Sequence, residues 1–259
     1  MRDFFTYYLD LNNIQHPINI FSNYHLMILA FGFLCVFLLY SRYHKLSIKT
    51  QRIFLVVIGF YFIIDEFIYN IWVLSVCKVD PILQILPLHL CTICAYIGAL
   101  CVYYKKEWLQ FFCAIMCSIA GLIAVIYPAN IANIYPIFHY RTINFFLLHF
   151  SFILFGLIQI RNTAIIKYKH IKPSMALLVV ITTLAFIANL NFGTDYMFVQ
   201  TNSKIAIIKA IHNVVGDYLL LPTAFLIFAL ILFLSVFMIH QVEKLSKSYQ
   251  AAKQNKYIV

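Results

Sequence analysis

The sequence predicts an all-α fold: a polytopic membrane protein built as a seven-transmembrane helix bundle, with its N-terminus outside and its C-terminus inside. Three observations predict it. The chain is 63% hydrophobic and 11% charged, with a mean hydropathy of +0.87, whereas a soluble domain carries about 25% charged residues. Seven apolar segments are long enough to cross a hydrocarbon core of about 30 Å. Basic residues alternate between the connections in step with seven crossings.

The elements follow in order. The first span, residues 20–40, ends before the basic cluster Arg42, Lys45, Lys49 and Arg52. The second, 53–77, ends before Lys78, and the third, 85–104, stops at Lys105 and Lys106. The fourth covers 109–127 and the fifth 142–160, which Arg161 closes. The sixth, 175–192, follows Lys172, and the seventh, 217–240, runs into a basic cytoplasmic tail at 241–259. Residues 1–259 thus read as a single transmembrane domain. The longest connection, 193–216, contains an amphipathic stretch at 200–213 suited to lying on the outer surface.

Counting Lys and Arg by side gives fourteen on one face and five on the other, the five being Arg2, Lys78, Arg141, Lys204 and Lys209. Basic loops stay cytoplasmic, which sets the orientation. The net charge of +10 is therefore a topology signal, and no nucleic-acid partner is expected. Residues 1–19 lack the basic, apolar and small-residue regions of a signal peptide. Of seven cysteines, Cys35, Cys94, Cys101, Cys113 and Cys117 read as small core residues, and Cys77 lies near the outer boundary. "CTIC" at 91–94 is formally a CxxC, but it is placed on an apolar helix and is not read as a redox motif.

Orientation turns scattered polar residues into a pattern. His25 lies about one turn into the first span, His89 and Cys91 one to two turns into the third, and His149 about two turns into the fifth, roughly 10 Å deep. Asn189 ends the sixth span, just before Asp195. Asp65 and Glu66 fall near the middle of the second. An ionisable residue inside a span costs about 2.5–3.5 kcal/mol on insertion scales and faces the bundle interior as a rule. Several at one depth predict a shared cavity in the outer half. Adjacent acids on a helix point about 100° apart, so Asp65 and Glu66 have different partners. His89 and Cys91, two apart, face nearly opposite ways, so a base for Cys91 comes from another span. His149 has the matching depth.

"LPLHLC" (86–91) opening a span, Glu66…Trp72 in the span before it and "NLNFGTDYMFV" (189–199) closing a later one resemble the YwaF-like bacterial integral membrane proteins. These are related to the eukaryotic transmembrane protein 164 family, and more distantly to the androgen-induced, FAHFA-hydrolysing membrane proteins. The likeness runs from about residue 20 to 240. Asp195 stands where that pattern expects Asn. The eukaryotic relatives move fatty acyl groups between phospholipids through a Cys and a His. The resemblance thus implies Cys91 as nucleophile, His149 or His89 as base, membrane phospholipids as partners and a bacterial plasma membrane as location.

The leading expectation is a lipid acyltransferase or acyl hydrolase with a thioester intermediate. Glu66, Asp65, His25, Asn189, Asp195 and Tyr196 would line its cavity. No cofactor is expected. A proton-coupled carrier using Asp65, Glu66 and the histidines is the second reading. A zinc hydrolase using His89, His149, His25 and Asp195 is the third, and the chain has no HExxH to support it.

Overall fold

The structure, a computed structural model, describes residues 4–7, 17–77, 80–199 and 206–255. Among these every extended element is helical. Helix α1 spans Asn23–Tyr43 and α2 spans Ile48–Val76. Each begins at a serine whose hydroxyl accepts an otherwise unpaired first-turn N–H: Ser22 from His25 at 3.3 Å, and Ser47 from Thr50 at 3.2 Å.

The third predicted span differs from expectation. A short helix α3, Pro81–Ile85, stops, and α4 runs only over Leu90–Tyr104. Pro87 causes the break. It has no N–H to continue the helix, and its ring forces the preceding residue out of the helical region. Leu86 accordingly has φ −59°, ψ 130°. At 15 residues α4 is about 22 Å long. Among the described residues six other helices are long and apolar enough to cross a membrane.

Helix α5, Glu107–Phe112, continues through a π-helical turn, Cys113–Cys117, into α6, Ser118–Ile126. Helix α7 is Tyr140–Ile160 and α8 is Ile171–Phe192, which ends where Gly193 takes φ +65°. Helix α9, Ala206–Asn255, bends at Gly216 (φ 71°, ψ 179°). The amphipathic stretch expected at 200–213 lies outside the described residues over 200–205; residues 206–215 form the part of α9 before this bend.

Helix α7 is the centre of the bundle. Of its apolar window 67% is buried, against 17% for α1 and for the span within α9. It packs against α1, α2, α4, the π turn and α6, while α8 packs between α5 and α9. Two glycines let α6 and α7 approach closely, as small residues do between membrane helices. A Cβ on Gly121 would come within 2.6 Å of the His149 carbonyl oxygen, and one on Gly156 within 2.8 Å of the Ser118 nitrogen. This contact sets where His149 stands.

The N-terminal segment joins the α6–α7 connection. Pro17 pairs with Pro136 in an isolated bridge, and Ile18 N–H donates to the Tyr135 carbonyl at 3.2 Å. That end of the bundle also holds the starts of α1, α4 and α7.

Candidate functional site

At this end lies a cavity of about 320 Å³. Two apolar stripes form its sides. Helix α6 and the turn before it present Met116, Ile119, Ala120, Ile123 and Ala124, spaced three and four apart on one face. Helix α9 presents Leu220, Thr223, Ala224, Ile227 and Phe228 in the same manner. Residues 197–199 close one side. Three chemically active side chains reach it: His89, Cys91 and His149.

Cys91 is the second residue of α4. The first helical bond is Ile93 N–H to the His89 carbonyl, so the N–H groups of residues 90–92 have no carbonyl partner within the helix. His89, the residue preceding the helix, makes no side-chain cap. The backbone amides of Cys91 and Thr92 lie beside the Cys91 sulfur. The break at Pro87 therefore puts a thiol in a helix's first turn, beside amides that no helical bond uses.

His149 is 2% exposed. Its Nδ1–H donates to the Phe145 carbonyl at 2.6 Å, which leaves the lone pair on Nε2. Nε2 is buried and has no hydrogen-bond partner among the described residues. Phe145 packs against the ring at 4.1 Å, tilted by 37°, and Phe152 meets it edge-on at 5.7 Å, so the orientation is fixed from both sides. Among the described residues no hydrogen bond joins Cys91 to His149; they face the same space from α4 and α7. His89 also opens on the cavity and packs its ring at 5.1 Å from that of Tyr196.

The acids take different partners, as their angular separation requires. Asp65 turns to α7 and accepts from Asn144 Nδ2 at 2.7 Å. Glu66 turns to α4, beside Thr92 and within electrostatic reach of Cys91. Neither lines the cavity.

The other expected cavity residues hold the frame instead. His25 is fully buried: its Nδ1 accepts from the Phe21 N–H at 2.9 Å and its Nε2–H donates to the Val125 carbonyl at 2.8 Å. That spends both nitrogens pinning α1 to α6. Asn189 folds the turn after α8, accepting from the Tyr196 N–H at 2.8 Å and the Thr194 hydroxyl at 2.9 Å. The Tyr196 hydroxyl donates to the Leu83 carbonyl, tying this turn to α3. Asp195 opens the short helical turn Tyr196–Phe198. Its successors Met197 and Phe198, not these four residues, reach the cavity. Among the described residues no three His, Cys, Asp or Glu converge on a point that would hold a metal ion.

Sequence reasoning missed Arg141, counting it as a loop charge. It is the second residue of α7 and turns inward. Its guanidinium stacks 4.6 Å from the Tyr69 ring, donates to Asn144 Oδ1 at 3.3 Å and lies within electrostatic reach of Glu66, Cys91 and His149. Asn144 thus links Arg141 to Asp65. The available signal was Asn144, a polar residue two positions inside the fifth apolar run and three after Arg141.

The model of the TMEM164 family matches residues 20–244. The chain belongs to the TMEM164 family. The match takes in every helix from α1 to α8 and most of α9, so the cavity and all its walls fall within it. With the six long apolar helices, membership makes this a multi-pass membrane protein. Comparison with curated proteins and comparison with solved structures each returned no match.

Proposed function

We propose that this TMEM164-family protein transfers acyl groups between membrane phospholipids through a Cys91 thioester. The observation that carries the reading is a single cavity onto which open a thiol at an amide-rich helix start and an imidazole with an unshared Nε2 lone pair. His149 Nε2 takes the thiol proton, and the sulfur attacks the ester carbonyl. The free amides at the start of α4 stabilise the tetrahedral oxyanion, a role worth about 2.7–4 kcal/mol where one such donor has been removed. His149 returns the proton to the departing lipid alkoxide. A second lipid hydroxyl, or water, then takes the acyl group by the reverse steps.

The apolar stripes suit the chain. The cavity between them is about 320 Å³. Each buried methylene contributes about 0.8 kcal/mol. The same reading takes the family's bacterial, YwaF-like branch, a plasma-membrane location, seven crossings with the short α4 as the third, and the cavity end facing outward. A proton-coupled carrier has the buried Asp65 and Glu66 in its favour, but both acids lie off the cavity, tied to Asn144 and Thr92.

The test is reconstitution. Protein in vesicles receives a phospholipid with a labelled acyl chain and an unlabelled lysophospholipid. Label should move to the lysophospholipid with wild type and not with Cys91→Ser. Transfer that survives Cys91→Ser overturns the reading.

A further inference from the structure

Acyl transfer uses one thiol, yet four more stand in line behind it. Cys94 lies one turn along α4 from Cys91, within its electrostatic reach. The Cys94 thiol meets that of Cys117 from the π turn, Cys117 meets Cys113, and Cys113 meets Cys101. Cys117 Sγ also lies 3.9 Å from the Cys94 carbonyl oxygen. Cys94, Cys113 and Cys117 are fully buried. Among the described residues the group does not converge as a metal site, so its chemistry is sulfur with sulfur.

"CTIC" now reads differently from its first appearance. Because the helix begins at Leu90, Cys91 occupies the first turn and Cys94 the next, so the CxxC starts at a helix N-terminus. Helical residues three apart have Cβ atoms about 5–6 Å apart, and a disulfide needs about 3.5–4.5 Å. A Cys91–Cys94 bridge therefore needs the start of α4 to shift by about 1–2 Å, and the N–H groups of residues 90–92 are outside its helical bonds.

We propose that Cys91, Cys94 and Cys117 form a thiol relay that takes oxidation from a hydroperoxide at the cavity and passes it inward as a disulfide. In the first step the Cys91 thiolate attacks the peroxide oxygen. An S–O bond forms, the O–O bond breaks, and the alkoxide or hydroxide leaves and gains a proton. In the second the Cys94 sulfur attacks Cys91. An S–S bond forms, the S–O bond breaks, and hydroxide departs with the Cys94 proton as water. In the third the Cys117 sulfur attacks Cys94. The Cys94–Cys117 bond forms, the Cys91–Cys94 bond breaks, and Cys91 leaves as a thiol carrying the Cys117 proton. Two thiols and one hydroperoxide become one disulfide, one alcohol or water, and one water. The cavity thiol is restored at the expense of two buried ones. The relay needs Cys91 to be reachable from the cavity, but it does not depend on acyl transfer.

Full-length protein in native membranes is treated with hydrogen peroxide, alkylated and digested with trypsin. Cleavage after Lys78, Lys105, Lys106 and Arg141 leaves Cys91 and Cys94 in peptide 79–105 and Cys117 in peptide 107–141. Wild type should give the two peptides cross-linked through Cys94 and Cys117, with Cys91 alkylated. Cys117→Ser should stop at a Cys91–Cys94 bond inside peptide 79–105, and Cys117→Ala, which adds no polar atom to the core, should do the same. Cys94→Ser should leave a sulfenic acid on Cys91 that dimedone traps. Three results overturn the relay: no cross-link while Cys91 goes on to sulfinic acid, five thiols untouched by peroxide, or a cross-link that forms equally in Cys91→Ser. Labelled-lipid transfer by the untreated protein reads acyl chemistry separately, so either claim can fail alone.

Discussion

At the scale of single residues, His149 carries the proton traffic because its tautomer is fixed. Nδ1 is committed to the Phe145 carbonyl, so only Nε2 can accept. Loss of a positioned general base costs about 10²–10⁴-fold. His149→Ala should lower the labelling of Cys91 by a lipophilic thioester-forming probe on that scale, read by peptide mass in native membranes; labelling at the wild-type rate would remove His149 from the mechanism. Cys77, near the boundary by sequence, is 7% exposed and should stay unlabelled in either protein. Arg141 is a positioning residue in this scheme. Its planar guanidinium both stacks on Tyr69 and donates to Asn144, which an ammonium cannot reproduce. Arg141→Lys should therefore lower the melting temperature nearly as far as Arg141→Ala, and full rescue by Lys would show that charge alone is used. The depth of Cys91 and His149 was legible from the spacing of polar residues along apolar runs. Which way a side chain turns was not: His25 shares their half of the bundle, yet spends both ring nitrogens on backbone groups of Phe21, just before α1, and Val125, at the end of α6.

At the scale of elements, hydropathy located the long apolar runs, because length and apolarity are what a span needs, but helices pass their ends: α2 starts at Ile48 rather than 53, and α9 runs over Ala206–Asn255 rather than 217–240. It missed the break at Pro87, since Leu, Pro and Leu are as apolar outside a helix as within one. That break sets the start of α4 and hence the chemistry of Cys91. The α6–α7 contact was also hidden, since isolated glycines in apolar runs carry no sign of what they approach. Gly121→Ala pushes a methyl against the backbone of His149, so it should lower thermal stability and Cys91 labelling together. Gly216→Ala has open space around it and only an unfavourable φ of 71° to bear. It should cost about 1–3 kcal/mol, the scale of such backbone strain, and leave labelling unchanged. Equal effects from the two glycines, measured by melting curves and probe labelling, would contradict the role given to the α6–α7 contact.

At the scale of the whole molecule, orientation and pH response are the testable properties. The basic residues set fourteen against five, and removing the inward-turned Arg141 from the smaller group widens the difference. Reporter fusions at residue 259 should be active only for a cytoplasmic reporter; an extracytoplasmic signal there would invert the cavity's leaflet. His139 precedes α7, fully buried, with Nε2–H on the Thr6 carbonyl at 2.9 Å and Nδ1 accepting the Arg141 N–H at 3.0 Å. Burial holds its pKa below the ordinary histidine value, and Arg141 adds to this. The unfolded chain therefore binds a proton that the folded one resists. The stability this site contributes is complete above about pH 6.5, the unperturbed value, and falls as pH drops below it. Melting temperature should decline from pH 7.5 to 5, and less steeply in His139→Asn, which keeps the acceptor for the helix start. An identical slope in the variant would assign the pH response to another group.

The central claim is a covalent acyl-enzyme on Cys91, and intact-mass spectrometry of the full-length protein tests it most directly. Purified protein is held in vesicles of a phospholipid with one defined acyl chain, without an acceptor, and quenched in acid. Wild type should gain the mass of one acyl group, mapped to peptide 79–105 and removed by neutral hydroxylamine; Cys91→Ser should gain none. An adduct that persists in Cys91→Ser, or its absence from wild type that turns over labelled lipid, would contradict the account.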